Sequence, residues 1–344
     1  MERITLDNSR VIGKNEPSYI IVDVAANHNG DLETAKELIR EAAIAGVDAV
    51  KFQTYEADKL YSIKTPKFSR DSTKPYDLIK SVQHPREWIQ ILSEYAKKLN
   101  IQFLSSPFDY EAVDLLEAIN TPLYKVASAE IVDLKLIKYM AQKGKPMIIS
   151  TGMCNIGEIE DAIEVCREVN NNNIILLQCN TVYPTPPNIV NLNAMDTLKT
   201  TFKLPVGFSD HTLGWHVPIA AIAKGASVIE KHFTLSRNQL GPDHSFSIEP
   251  DELITMVNQI RDVESALGNG IKKVLPEEME SYNYGRRSII AGRNIQKGTI
   301  ITEEMLIIKR PGYGIKPKLM NILIGSKANV DILEDDVITW EMIF

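Results

Sequence analysis

Two histidines at the ends of neighbouring apolar segments, and two lysines inside others, are the side chains of this chain best placed to do chemistry. Segment 205–233, PVGFSDHTLGWHVPIAAIAKGASVIEKHF, reads as a strand (205–210), a polar loop, a small-residue helix (about 215–223) and a second strand (227–233). The strands close on Ser209-Asp210-His211 and on Glu230-Lys231-His232. Adjacent parallel strands lie about 5 Å apart. His211 and His232 can then share one divalent metal and leave coordination positions open for water and substrate, as in a catalytic rather than a structural site. A lone histidine at a strand end is ordinarily only a polar cap; two at matching ends, each with a carboxylate beside it, form a candidate site.

Lys51 sits within AVKFQT (49–54) and Lys125 within LYKVAS (123–128). An ammonium buried without a partner is costly. Each lysine therefore awaits an anion or forms a buried ion pair, with Asp23 or Glu130 as partners. Together with the hydroxyls of Ser128, Ser150 and Ser209 the two lysines make a cradle for a phosphate or carboxylate.

The elements that must position these groups alternate. YIIVDVAANHNG (19–30) reads as a buried strand and turn, 31–46 as an amphipathic helix, and 49–54 as a strand. After a polar excursion (55–85) come a helix (85–100), a strand (101–108), a helix (110–119), the strand 123–128, a helix (133–143) and a strand (146–151). A helix (155–168), a strand (174–179) and a weaker helix near 191–199 lead to the two strands already described, and a last helix runs from 250 to about 267. Continuous apolar strands in eight βα units are the pattern of a parallel sheet covered on both faces, and eight units close a TIM barrel. Neither G-x-G-x-x-G nor a Walker loop follows any strand, which disfavours a doubly wound sheet. Active sites of barrels lie at the carboxyl ends of the strands. Polar residues recur there: Asp23 and Asn27, Lys51 and Gln53, Ser105 and Ser106, Lys125 and Ser128, Ser150 and Thr151, Asn180 and Thr181, then the two clusters above.

The barrel is expected over 1–270, a charged linker over 271–284 and a small β-rich domain over 285–344. Segment 294–305, NIQKGTIITEEM, recurs loosely as 331–342, DILEDDVITWEM, which suggests a pseudo-symmetric fold with short helical turns at Thr302 and Thr339. With 24% charged and 44% hydrophobic residues the 344-residue chain is an ordinary globular protein. Its net charge of -7 argues against a broad nucleic-acid surface and for a pocket. No run reaches membrane-span length and the amino terminus lacks a signal-peptide core, so a cytoplasmic protein is expected. Cys154, Cys166 and Cys179 form neither a disulfide framework nor a zinc knuckle and read as small buried residues. His28 belongs to the ANHNG turn; His84 and His216 read as structural, and Trp88 and Trp340 as core or domain-contact residues.

The blocks ANHNG (26–30), VKFQT (50–54), SSPF (105–108), YKVAS (124–128), STGM (150–153), YPTPP (183–187), GFSDHT (207–212), EKHFTL (230–235), GPDH (241–244) and KRPGYG (309–314) follow one another along essentially the whole chain. In this order they resemble the sialic acid synthase family of nonulosonic acid synthases. The last 60 residues resemble the antifreeze-like, or SAF, domain of those enzymes.

The resemblance implies condensation of phosphoenolpyruvate with an N-acylated amino-hexose aldehyde, such as N-acetylmannosamine or a 2,4-diacetamido-2,4,6-trideoxyhexose. The products would be a nine-carbon 3-deoxy-2-keto acid and phosphate. By matched motif, His211 and His232 bind Mn²⁺ or Mg²⁺, and Lys51, Lys125, Ser128, Ser150 and Ser209 hold phosphoenolpyruvate. Gln53, Tyr183 and Asp243 match sugar-contacting positions, Thr181 aligns with a family asparagine, and Glu230 or Asp23 handles protons of the attacking water. Arg310 matches an arginine that reaches the sugar in the partner subunit, which implies a domain-swapped homodimer.

Two departures stand out: Asp23 replaces a usual glutamate, and Asn180 lies beside Thr181 where the family carries its asparagine. The segments AANHNG, SAEIVDL (128–134), SFSIEP (245–250) and RPGYGIKP resemble the pseudaminic type, whereas GPDH is shared by the neuraminic and legionaminic branches. Two rival readings exist. A condensing enzyme that makes a shorter acid from a phosphorylated sugar would want further Arg or Lys, and a non-catalytic carbohydrate- or ice-binding protein would need neither strand-end lysines nor paired histidines.

Overall fold

A computed structural model describes residues 3–6, 9–68 and 73–343. Residues 69–72, within the polar excursion 55–85, lie outside the described residues. The chain divides into two compact units, Met1–Gly268 and Asn269–Phe344.

The first unit opens with an antiparallel hairpin, β1 (Arg3–Thr5) and β2 (Val11–Gly13). Eight parallel strands follow: β3 (Tyr19–Asp23), β4 (Ala49–Thr54), β5 (Gln102–Pro107), β6 (Tyr124–Val126), β7 (Met147–Ser150), β8 (Ile174–Cys179), β9 (Val206–Asp210) and β10 (Val228–His232). Their order in the sheet is β5-β4-β3-β10-β9-β8-β7-β6, with the two end strands β5 and β6 lying side by side, so the sheet curls into a nearly closed barrel. Among the helices between the strands are α1 (Leu32–Ile44), α2 (Ala57–Leu60), α3 (Pro75–Val82), α4 (Trp88–Lys98), α5 (Tyr110–Ala118), α6 (Leu134–Gln142), α7 (Ile156–Arg167), α8 (Ala194–Phe202), α9 (His216–Ala223) and α10 (Pro250–Leu267). Four start alike: Asp31, Asp109, Asp133 and Asn155 each turn a side-chain oxygen onto a free N–H of the first turn. β4, β8 and α10 coincide with the spans read from hydrophobicity, and most of the other strands and helices end one to three residues from them, because hydrophobicity does not mark caps.

Alternation along each strand sorts the side chains into two cores. Ile20, Val22, Val50, Phe52, Ile149, Phe208 and Ile229 face the helices. Ile21, Ala49, Leu104, Leu123, Ile148, Ile175 and Val228 fill the barrel, where Ile4, Leu6 and Ile12 of the hairpin segment join them. The interior leaves no room for a side chain at Gly207, whose Cβ would stand 2.4 Å from the Val228 carbonyl oxygen and 2.7 Å from Leu177 Cδ2. Within the excursion, α2 and α3 form over a small cluster of Ala26, Tyr55 and Val82.

The second unit pairs β11 (Ser288–Ala291) with β12 (Leu306–Lys309), antiparallel, and adds a one-turn helix α11 (Met320–Leu323). The internal echo is structural: Ile295 bridges to Ile332, its own repeat equivalent. The equivalent pairs Ile301 and Ile338, and Leu306 and Ile343, are all buried in one core. Short 3-10 turns follow Thr302 and Thr339 at the two matching positions. The stretch read as a linker carries two helical turns, Pro276–Glu278 and Ser281–Gly285, both without buried residues. Among the described residues no helix is long and apolar enough to cross a membrane.

Candidate active site at the carboxyl ends of the barrel strands

The same alternation that buries Ile21, Ala49 and Val228 in the barrel turns Asp23, Lys51, Glu230 and His232 inward one or two steps later. Strand register then sets them side by side: Asp23 opposite Lys51 on one flank and opposite His232 on the other, and Glu230 opposite Ser209. Lys51 Nζ lies 2.7 Å from Asp23 Oδ2 and 3.8 Å from Glu230 Oε1. Asp23 also accepts hydrogen bonds from Gln53 Nε2 (3.0 Å) and the Ala25 N–H (3.1 Å). Burial opposes the Lys51 charge, but Asp23 and Glu230 outweigh it and raise its pKa. Of the two partners that the sequence allowed for a buried ion pair, Asp23 is the one taken, by Lys51.

Lys125 has a different setting. Its Nζ donates to Ser150 Oγ (2.7 Å) and the Val126 carbonyl (3.0 Å) and lies 3.7 Å from Glu230 Oε1. Burial lowers its pKa and Lys51 pushes the same way, against the pull of Glu230. Beside it, Ser128 Oγ accepts the Gly152 N–H at 3.0 Å. Ser209 Oγ donates to Glu230 Oε1 at 3.3 Å. Lys125, Ser128, Ser150 and the Gly152 segment thus make one polar half of the crown, and Lys51, Asp23 and Gln53 the other, with Glu230 between the two lysines.

The histidines form the third side. Their ring centroids are 5.2 Å apart, and Tyr183 and Phe246 wall them in, at 4.3 Å from His211 and 5.1 Å from His232. His211 Nδ1 donates to the Asn180 carbonyl at 2.6 Å, which leaves its Nε2 lone pair free for a ligand. His232 Nδ1 and Glu230 Oε2 are buried with no hydrogen-bond partner among the described residues. Burial, and then neighbouring His211, push the His232 pKa well down, so it stands neutral, the form that ligates metals. Among the described residues no group of three or more His, Cys, Asp or Glu side chains is arranged to hold an ion. The pair of imidazoles nonetheless fits a divalent ion whose remaining positions are filled from solution, and the orphaned nitrogen is the observation that favours it.

Asp243 is half-buried, accepts the Ala26 N–H at 3.2 Å, and is pushed up to about 6, first by the surrounding protein and then by Asp23. Thr181 borders Gly152, whose Cβ would come within 3.0 Å of Thr181 Cγ2. The Asn180 side chain instead donates to the Ile189 carbonyl at 3.0 Å, so of the two neighbours Thr181 faces the Gly152 wall. Arg310 lies in the second unit, exposed.

Other polar strand-end residues leave the crown. Asp210 and Lys231 fall on the outer face and pair with each other at 2.5 Å, with Lys231 also donating to the Thr212 carbonyl. Ser105 likewise bonds Thr54 on the outer face. Strand alternation distinguishes them from their neighbours, once the phase of each strand is known. Cys154 is half-exposed rather than buried. Buried Cys179, read as a packing residue, lines the inner face 3.9 Å from His211 Nδ1. Phe246 carries no local sequence signal for its place beside His232. His28, His84 and Trp88 pack together, with His84 stacked on Trp88.

A ring of parallel strands with imidazoles, ammonium groups and carboxylates converging at its carboxyl ends defines a barrel enzyme. Residues 38–272 match the NeuB family and residues 286–343 the SAF domain. The chain is 44% identical over 336 residues to the N,N'-diacetyllegionaminic acid synthase of Campylobacter jejuni, covering 93% of this chain and 98% of that one. It is 38% identical over 334 residues to the pseudaminic acid synthase of Helicobacter pylori, covering 94% and 98%. Among solved structures it is similar to the N-acetylneuraminic acid synthetase of Leptospira borgpetersenii, with a TM-score of 0.74, 34% identity, and 81% of this chain and 95% of that one covered. The chain belongs to the NeuB family and ends in a SAF domain.

Proposed function

We propose that this protein is a nonulosonic acid synthase, which condenses phosphoenolpyruvate with an N-acetylated amino-hexose aldehyde and releases phosphate. The observation that carries this reading is the convergence of Lys51, Lys125 and Glu230 opposite the His211–His232 pair at one barrel mouth. Similarity to the legionaminic and pseudaminic acid synthases supports an acceptor of the acetamido-hexose class.

In this reading Lys125, Ser128, Ser150 and the Gly152 N–H bind the phosphate, and Lys51 and Ser209 the carboxylate, of phosphoenolpyruvate. Gln53, Tyr183, Thr181 and Asp243 orient the sugar so that its aldehyde carbon faces C3, a positional effect that replaces a bimolecular encounter. His211 and His232 would hold Mn²⁺ or Mg²⁺, which supplies Lewis-acid polarisation of the aldehyde. As C3 attacks, cationic character develops at C2, and water adds there. Asp23 or Glu230 takes the proton of that water. The Glu230 carboxylate lies between the two lysines, and its unpartnered Oε2 is a free acceptor. The resulting tetrahedral carbon expels phosphate, whose charge Lys125 and the hydroxyls stabilise.

The active form is a homodimer in which Arg310 of one chain reaches the sugar bound by the other. Its exposed side chain supports this, as do the exposed apolar residues Val132, Met153, Val182, Leu213 and Leu240 in loops that follow five of the barrel strands.

The test is phosphate release from phosphoenolpyruvate with Mn²⁺ and, in parallel, N-acetylmannosamine and the two diacetamido-trideoxyhexoses that lead to legionaminic and pseudaminic acids. Release with one sugar alone identifies the acceptor. A folded, metal-loaded protein that releases phosphate with none of them refutes the acceptor class.

A further inference from the structure

Lys51, Gln53 and Tyr55 follow one another at steps of two along β4 and the residue after it, so all three side chains fall on the inner face, while Thr54 bonds Ser105 on the outer one. Strand pairing reaches this step, because the Phe108 N–H donates to the Thr54 carbonyl at 3.2 Å. Tyr55 therefore stands one layer above Gln53, which bonds Asp23 at 3.0 Å, in the half of the crown assigned to the sugar. Its ring meets Phe108 edge-on, with centroids 5.5 Å apart, and clusters with Ala26 and Val82, while Leu60 of α2 and Ile79 of α3 pack against the same cluster. Ala26 is also the residue whose N–H holds Asp243 at 3.2 Å, so the ring and the Asp243 carboxylate share one support.

Tyr55 is 5% exposed, and its hydroxyl keeps contact with solvent yet makes no hydrogen bond among the described residues. A buried tyrosine ordinarily pairs its O–H. Tyr19, Tyr76 and Tyr124, the other buried tyrosines among the described residues, do so, donating to Gln102, Asp58 and Glu117. Burial, and then Asp243 and Asp23, raise the Tyr55 pKa, so the phenol stays a neutral O–H donor.

A single O–H donor set among apolar side chains suits an acetamido group, whose carbonyl accepts the proton and whose methyl lies on carbon. The two acceptor classes named above differ in this respect. N-acetylmannosamine has hydroxyls at C4 and C6, which would lose their water against Ala26, Phe108 and Val82 with too few partners. A 2,4-diacetamido-2,4,6-trideoxyhexose has an acetamido group at C4 and a methyl at C6. The C2 acetamido group is common to both and cannot discriminate. We propose that Tyr55 selects the acceptor: its hydroxyl donates to the carbonyl of the C4 acetamido group, and the Ala26, Phe108 and Val82 surface receives that group's methyl. This deepens, and rests on, the reaction proposed above.

The experiment follows phosphate release from phosphoenolpyruvate with Mn²⁺ by the full-length wild-type protein and by Tyr55→Phe. The sugars are the two diacetamido-trideoxyhexoses, N-acetylmannosamine, and analogues of the former with a hydroxyl in place of the C4 acetamido group. For the wild type, kcat/KM on the better diacetamido sugar should exceed that on N-acetylmannosamine by about 100-fold or more, and that on its C4-hydroxyl analogue by about tenfold or more. Tyr55→Phe should raise the KM for the diacetamido sugar about tenfold with kcat changed less than about twofold, the pattern of lost uniform binding. On the C4-hydroxyl analogue its kcat/KM should change less than about threefold. A merely structural role would lower kcat/KM on all the sugars alike or raise the KM for phosphoenolpyruvate, and either result, or an unchanged sugar KM, overturns the proposal. Should Tyr55→Phe not fold, the wild type decides alone: a C4-hydroxyl analogue or N-acetylmannosamine used as well as the diacetamido sugar overturns the proposal. A wild-type protein that releases phosphate with no sugar instead refutes the reaction itself, and the proposal with it.

Discussion

Lys51 and Lys125 are chemically identical and almost equally buried, yet their surroundings predict opposite consequences of removing them. Replacing Lys51 by Met deletes the cation 2.7 Å from Asp23 and strands a carboxylate whose side chain is 3% exposed. Breaking a buried ion pair by removing one partner costs about 3–5 kcal/mol. Because Gln53 Nε2 and the Ala25 N–H still donate to Asp23, the lower end applies, about 3 kcal/mol. For a unit of this size that is a fall in Tm of roughly 6 °C. Lys125→Met should cost less than about 1 kcal/mol or stabilise, because burial and Lys51 already oppose its charge and the nearest carboxylate is 3.7 Å away. Both variants should lose activity, so the contrast lies in stability alone. Denaturant and thermal unfolding of the two variants measure it. Adding Asp23→Asn to Lys51→Met should recover about 1–2 kcal/mol, the coupling of the pair. Equal losses for the two lysine variants, or no recovery in the double variant, would refute the reading of Lys51 as an ion-pair member and of Lys125 as a cation held for its ligand.

His211→Ala or His232→Ala should abolish metal-dependent turnover and weaken Mn²⁺ binding by at least about 100-fold while leaving the circular dichroism unchanged; calorimetric titration with Mn²⁺ checks this. Arg310→Ala should raise the sugar KM by roughly tenfold or more with a smaller change for phosphoenolpyruvate, and mixing Arg310→Ala chains with His211→Ala chains should restore activity in verified mixed dimers. Asp243, raised to about 6 in the fold from an ordinary value of 3.8, carries a penalty when ionised. That penalty is fully present above pH 6 and gone below the unfolded value. Asp243→Asn should therefore be more stable than wild type at pH 8, with the advantage shrinking as pH falls from 6 towards 4, as followed by unfolding across that range.

How far the amino-acid order reaches is seen residue by residue. Apolar strands alternating with amphipathic helices specified the barrel, because both faces of a parallel sheet must be covered and eight such units close on themselves. The echo between 294–305 and 331–342 specified the symmetric small unit, since equivalent apolar positions such as Ile301 and Ile338 must share one core. Strand-end polarity marked His211, His232, Lys51 and Lys125 for the same reason that makes them costly: a polar group in an apolar segment needs a partner or a ligand.

What the order of residues left open depends on phase and on contacts distant in the chain. Asp210 and Lys231 lie beside His211 and His232 in sequence, but a step of one residue along a strand reverses the face, and so they pair with each other outside the barrel. Lys51 chose Asp23 because neighbouring strands run in a register that sets these two residues opposite each other. Phe246 reached His232 through the segment after β10 that returns beside it, where Phe233 bridges Ile248, and Cys179 reached His211 through the pairing of β8 with β9. For Glu130 nothing in the surrounding residue types distinguishes a solvated acid from a buried one. Only the folded turn after β6, which removes its Oε2 from water without supplying a donor, decides that.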